Sequence, residues 1–577
     1  MRAASPVPTD IRANAAAAPA EAKHGTGITY RHAGAFWAGV ACVAAGVMAH
    51  LPEFVGARHM HFHMAGMPMS GLMLAGMALI VGGLALTAYG LIPAGGLRRP
   101  AAATSSPVAY RTMDDAPLTG AHWGLLFVLG IALVVDVMKP ATLGFVVPGM
   151  KAEYGITIGQ VAYFPMTALT GTVLGSLLWG VLADRIGRRA SILLASLLFM
   201  ATSICGFMPS FQWNLFMCFM MGTSAGGMLP IVYALMTESM PAKKRGWLVV
   251  LHGGLGTVAG YLLAAGLAAL LEPHFSWRIL WFAGLPTGLL LLVLNRWIPE
   301  SPRFLLEHGR VDEAASVLAR YGVVLDRRPA EGASPKPAEK PAPVPAPAHA
   351  PKGGSLLLAL FRPEHRLRTL SVGSYAFGWS LVNWGFITFT PTILRDRGLD
   401  AAGASRMLFW SALIAVPATI LVAWLYGYWS SRKTMSLFAA LTGITLLLFA
   451  LVDPGSRGAG TALLMPLMVA LLVGSGGIIS MLSPYTAEVY PTRLRGTGSG
   501  FAAGCSKAGG ILAPPLVVLV LARWPGFAAI ALIAAVPVFL SMLMLTLSGV
   551  ETRDRPLEEM AAAPAETPEP LETAAAA

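Results

Sequence analysis

The most restrictive feature of this chain is a short cationic turn between two long apolar runs. Gly180-Val-Leu-Ala-Asp184-Arg185-Ile-Gly187-Arg188-Arg189 separates residues 159–182, which are almost free of charge, from residues 190–207, which carry none. Each run approaches the roughly 20 residues that a helix needs to cross hydrocarbon. Basic residues in short loops stay on the cytoplasmic side of a membrane. The turn therefore sets the expected orientation of every other span. Gly187 suits a reversal in which a side chain would clash. Asp184, at a helix end, can pair with arginine or face the positive end of a neighbouring helix.

Composition agrees with a membrane body. Charged residues make up 12% of the 577-residue chain and hydrophobic residues 55%, with a mean hydropathy of +0.64. A soluble domain carries about 25% charge. The net charge of +12 does not indicate nucleic acid as a partner, because the basic residues cluster in loops between apolar runs. Cys42, Cys205, Cys218 and Cys505 all fall inside apolar runs and show no disulfide or zinc spacing.

Fourteen spans are expected, giving an all-α membrane protein. Two extra ones come first, at about 34–51 and 70–93, within a segment 33–95 that includes a loop rich in histidine and methionine. Six follow at about 122–148, 159–182, 190–207, 211–238, 247–271 and 278–298, forming a first half over 122–298. A polar connection over 299–366 contains a helix at 310–320 and a Pro/Ala/Lys-rich stretch at about 329–353, which reads as a flexible linker. The second half spans 367–549, with runs at about 367–394, 404–428, 433–453, 460–487, 497–522 and 526–549. Residues 1–32 and 550–577 are expected to be disordered cytoplasmic tails.

An internal repeat supports the two halves. Gly226-Gly227, Glu238, Pro241, Arg245 and Gly246 recur as Gly476-Gly477, Glu488, Pro491, Arg495 and Gly496, each offset by 250 residues. Chance likeness between apolar helices does not place charges and prolines at one offset. The turn has a degraded counterpart in Trp424-Leu-Tyr-Gly427-Tyr-Trp-Ser-Ser-Arg432-Lys433, which keeps its basic end and loses the aspartate.

The pattern G-x-L-A-D-R-x-G-R-R at 180–189 resembles the signature loop of the major facilitator superfamily, between the second and third helices of a body of two six-helix halves. Pro299-Glu-Ser-Pro-Arg303 looks like the motif closing the first half in sugar porters and related metabolite–proton symporters. Glu238-x-x-Pro241-x-Lys-Lys-Arg-Gly246, the charged first body helix and Gly504-Cys-Ser-Lys507-Ala-Gly509 resemble organic-acid proton symporters. The resemblance implies a multi-pass inner-membrane transporter with cytoplasmic termini, working as a monomer by alternating access on a small solute. It implies a proton as coupling ion, no cofactor, and gating by Gly180, Asp184, Arg185, Gly187, Arg188, Arg189, Glu238, Arg245, Glu488 and Arg495. The resembling symporters usually carry arginine where this chain has Cys218 and a second acid near Lys139, which alters the charge arrangement carried over from them.

Charged groups inside the apolar runs need a reason, since each costs about 2.5–3.5 kcal/mol at mid-membrane. Asp136 and Lys139 are three residues apart on one helix, a spacing that puts them on one face. Either they form a permanent structural pair, or Asp136 takes up and releases a proton. Lys507 lies midway along the eleventh body helix with no acid in that helix. It is expected to contact an anionic solute, with pairing to another helix's acid or snorkelling as the alternatives. Asn383, Tyr375, Trp379 and Trp384 on the seventh body helix form an expected polar-aromatic wall. His252 reads as a packing histidine. His59, His61, His63 and Met64 offer soft ligands for Cu(I) on the outer side. No phosphate-binding G-x-x-x-x-G-K-[ST] is present, so ATP is not expected to drive the protein directly.

The expected function is proton-coupled uptake of a small organic acid. Sugar or polyol uptake, drug efflux and a non-transporting membrane sensor are the alternatives. The Gly-Pro pair of drug–proton antiporters is missing from Gly253-Gly-Leu-Gly256-Thr-Val-Ala-Gly260.

Overall fold

The computed structural model describes residues 31–92, 116–323, 353–396, 398–452, 460–490, 492–524 and 526–552. Most of both expected tails, the Pro/Ala/Lys-rich stretch at 329–352, Arg98, Arg99 and Arg111, and the side chain of Arg495 lie outside the described residues.

Among the described residues, fourteen helices build the body. The first pair is α1 (Ala33–Met48) and α2 (Gly71–Leu91). The first half comprises α3 (Gly120–Tyr154), α4 (Tyr163–Ile186), α5 (Arg188–Ala201), α6 (Phe211–Ser239), α7 (Ala242–Phe275) and α8 (Gly284–Leu294). The second half begins with α9 (Arg366–Leu381), continued by a π-helical stretch Val382–Ile387 and a helical end Thr390–Asp396. It goes on through α10 (Ala401–Ala415, extended by Ala418–Trp424), α11 (Ser431–Val452), α12 (Gly460–Val489), α13 (Thr492–Arg523) and α14 (Phe527–Ser548).

Among the described residues, 13 helices are long and apolar enough to cross a membrane. The fourteenth expected span is α9, too polar to pass on composition. Its polar residues Ser371 and Ser380 are buried and Ser374 and Asn383 half-buried, so they face protein rather than lipid. The wide π turn there coincides with the predicted polar-aromatic wall, and such bulges collect at functional sites.

Close backbone approach holds each half together. In the first, α4 lies against α6, where a methyl on Gly222 would overlap Ala168 O and one on Gly171 would overlap Phe219 O. Small residues permit this contact where lipid gives helices no hydrophobic drive to associate. The halves meet along α7 with α10 and α12, and along α4 with α13.

The α1–α2 hairpin uses the same device. Gly39 and Gly46 face Gly83 and Gly76, and Gly90 faces Phe36, with each glycine against the partner's backbone. The glycines recur every seven residues on both helices. The hairpin docks on α5 of the first half.

Candidate functional site

Asp136 lies near the middle of α3, 4% exposed, and Lys507 lies near the middle of α13, half-buried. They come from opposite halves, and each is the charged group acting on the other. They form no ion pair or hydrogen bond, and Asp136 Oδ1 is buried with no hydrogen-bond partner. An acid and a base held near each other but not in contact leave both able to take a third group: a proton on one, an anion on the other.

The expected Asp136–Lys139 pair is not made. Lys139 Nζ donates to Phe199 O at 2.6 Å and Thr202 Oγ1 at 2.5 Å, and stands 4.3 Å from the centre of the Phe199 ring. Three residues along a helix set the Cβ atoms near each other, but the long lysine stem follows the available space. That space is made by Gly284, where a methyl would meet both Lys139 Nζ and Ser203 Oγ. Lys139 is thus a fastening within the first half, close to the buried thiols of Cys205 and Cys218. The two departures from the resembling symporters, at Lys139 and Cys218, are therefore neighbours in space.

The α9 wall stands level with Lys507. Ser380 Oγ and Ser506 Oγ are 3.0 Å apart, and a methyl on Gly510 would meet Trp384. Asn383, Trp384 and Trp379 are half-buried. Tyr375 is fully buried, and its hydroxyl has no hydrogen-bond partner. Tyr233 on α6 joins this central group without having been singled out in the sequence. It is electrostatically coupled to Asp136, and its hydroxyl packs on Gly253. The signal available was a lone tyrosine amid small residues in a span. His252 is a packing residue, its ring nitrogens facing Leu248 O and Leu126 O at 2.9 and 3.1 Å.

At the end carrying the 180–189 turn, Arg188 joins Asp184 at 2.9 Å, Glu238 at 3.4 Å and Ala183 O at 2.8 Å. Gly187 has φ 104°, and a side chain there would overlap the Glu300 carboxylate. Glu300 caps the start of α5, accepting from Arg188 N at 2.7 Å and Arg189 N at 3.2 Å, and also from Ser301 N at 3.0 Å. Burial pushes its carboxyl up to about 7, opposed by these N–H groups and the Arg188 charge. Arg189 Nε donates to Asn295 Oδ1 at 3.3 Å, and Arg245 holds Met240 O. Gly180 and Arg185 stand in the open. In the second half, Glu488 accepts from Tyr426 Oη at 2.8 Å and Thr552 Oγ1 at 2.6 Å.

The histidine–methionine loop lies over the first half, with His59, His61 and His63 exposed. Among the described residues no three His, Cys, Asp or Glu side chains converge. His59 Nδ1 lies 2.7 Å from Gly56 O in its own turn, and Met64 is 2% exposed, packed into the body. His61 and Phe62 are both left-handed, at φ 55° and 60°.

This is the architecture of a major facilitator transporter: two six-helix halves meeting around ionisable groups contributed by each. Solved structures of the xylose transporter XylE from E. coli share the fold. One, a proton:xylose symporter bound to 6-bromo-6-deoxy-D-glucose, aligns with TM-score 0.59 at 18% identity over 76% of this chain and 98% of that one. The chain belongs to the sugar (and other) transporter family, which matches residues 150–563. It is a transporter, not an enzyme. Similar proteins include the niacin transporter NiaP of Acinetobacter baylyi, 25% identical over 78% of this chain and 98% of that protein. The gallate transporter of Pseudomonas putida is 25% identical over 76% and 94%, and organic cation/carnitine transporter 7 of Arabidopsis thaliana is 26% identical over 76% and 93%.

Proposed function

We propose that the protein is a proton-coupled importer of a small organic acid, working as a monomer by alternating access. Its turn end faces the cytoplasm and both termini lie there. The observation that carries this reading is the Asp136–Lys507 pair, one member from each half, near enough to sense each other's charge and not in contact. A carboxylate entering between the halves finds Lys507 as counter-ion. Asp136, deprived of that cation's field, then holds its charge less well and binds a proton. Asn383 and Trp384, half-buried on the helix that packs against α13, would orient a planar solute. Niacin and gallate, carried by the two bacterial relatives, are both small aromatic carboxylates, which supports a solute of that class. Arg188, with Asp184 and Glu238, serves the inner gate.

Purified protein in proteoliposomes, screened with aromatic carboxylates and sugars with and without a pH gradient, tests the reading. Gradient-stimulated accumulation of a carboxylate supports it. Accumulation of sugars alone contradicts it.

A further inference from the structure

The end of the body opposite the turn carries a second set of charges. Glu153, in the last turn of α3 and 3% exposed, takes five donor groups. Arg278 reaches it through Nη2 at 2.6 Å and Nε at 3.1 Å, and Trp277 Nε1 reaches it at 2.9 Å. The other two are backbone N–H groups of the α1–α2 loop, Met64 at 2.8 Å and Ala65 at 3.1 Å. Arg278, fully buried, also donates from Nη1 to Gly206 O at 2.8 Å and Met208 O at 3.0 Å. One carboxylate and one guanidinium thus bind together the ends of α3 and α7, the segment after α5, and the loop. Phe54 and Phe62, stacked at 4.8 Å, extend the contact to Phe207 and Phe275.

The same block presents two charges to the other half. Lys151, two residues before Glu153, pairs with Asp396 at 3.3 Å. Glu272, one turn before Ser276 and Trp277, pairs with Arg395 at 2.6 Å. Both partners end α9. The two kinds of pair differ in build. Glu153–Arg278 is two-pronged with further bonds on both sides, whereas Glu272–Arg395 uses one contact and leaves Glu272 Oε2 and Arg395 Nε buried without partners. A pair with unmade bonds separates more readily than a fully satisfied one.

We propose that the α1–α2 hairpin is a clamp on the outer gate. Its loop holds Glu153, Glu153 positions the ends of α3 and α7, and these hold Lys151 and Glu272 in register with Asp396 and Arg395. The two inter-half pairs are the lock that opens when solute enters from outside. Glu153 is a positioning residue, and the hairpin biases the transporter towards its outward-closed state. The proposal rests on the alternating-access reading above.

The test uses full-length protein carrying Thr388→Cys, a half-buried position near the outer end of α9, treated with a membrane-impermeant maleimide from the outer side. Arg395→Ala is expected to speed labelling about fivefold, the shift given by losing about 1 kcal/mol, and Arg395→Lys to return it towards the parent rate. Replacing residues 61–67 by a glycine-serine run of equal length is expected to raise labelling in the same direction, and Ala65→Pro to do so more weakly. Combining the replaced loop with Arg395→Ala is expected to add little. A replaced loop that labels at the parent rate, while Arg395→Ala labels faster, overturns the clamp. Unchanged labelling in Arg395→Ala overturns the lock. Should the replaced loop not fold, Ala65→Pro decides in its place. Labelling needs neither solute nor proton, so these outcomes stand apart from failure of the uptake assay.

Discussion

The two halves close their equivalent turns differently. In the first, Arg188 sits between Asp184 and Glu238, a charged cluster at 2.9 and 3.4 Å. In the second, the matching Glu488 accepts from the hydroxyls of Tyr426 and Thr552. One feature is common to both. A glutamate after the sixth helix of each half caps the start of the third: Glu300 on Arg188 N at 2.7 Å, and Glu551 on Ser431 N at 2.9 Å. The shared cap satisfies helix-end N–H groups that either half would leave unbonded, so it belongs to the fold. The unshared charge belongs to what each half does. The same division holds at mid-depth, where the first half supplies Asp136 and the second Lys507. It holds again at the opposite end, where only the first half wears the α1–α2 hairpin.

The largest effect is expected at the centre of the second half. Lys507→Met should lower uptake of a carboxylate by about a hundredfold, the scale of removing one partner from a buried charge contact, with uptake of a neutral solute as the control. At the turns, Arg188→Ala should slow transport by about tenfold, matching loss of a part-buried charged cluster worth between 1 and 2 kcal/mol. Tyr426→Phe in the second half should change the rate less than about threefold, because Glu488 keeps the Thr552 hydroxyl as a donor. Equal effects from the two would erase the distinction between the turns.

A smaller effect concerns pH. The Glu300 carboxyl, pushed up to about 7 by burial, binds its proton more tightly folded than unfolded. Its contribution to stability is complete below the unfolded value of about 4.5 and is lost as pH rises through about 7. The swing is on the order of 3 kcal/mol at most. The thermal midpoint in detergent should therefore fall across that window, and Glu300→Gln should flatten the fall. A Glu300→Gln profile parallel to the parent's would remove Glu300 from the account. Weakest of all, Lys151→Ala should change the thermal midpoint by about 2 °C or less, as for an exposed pair.

The spans were legible because lipid leaves a chain few choices: every backbone group must be bonded internally, so twenty apolar residues read as a helix. Even α9, polar by composition, was placed by the repeat around it. The repeat at an offset of 250 residues also announced the matching glutamates Glu238 and Glu488. Side-chain direction was not legible. Spacing put Asp136 and Lys139 on one face, but a glycine 145 residues later, Gly284, opened the site that Lys139 fills. The path of the histidine–methionine loop, turned by the left-handed residues His61 and Phe62, is likewise not carried by composition. Nothing in the sequence joins Glu153 to Arg278, which lie 125 residues apart. Their meeting depends on how α3 and α7 are packed, which a linear pattern does not carry. The seven-residue spacing of glycines in α1 and α2 is a sequence sign of their tight hairpin.

The most direct test of the central claim is uptake by Asp136→Asn in proteoliposomes under an imposed pH gradient, beside solute counterflow in the same vesicles. The account predicts that uphill accumulation disappears while counterflow persists, because the carboxamide still permits the halves to exchange sides but carries no exchangeable proton. Accumulation at the parent's level by Asp136→Asn would contradict it.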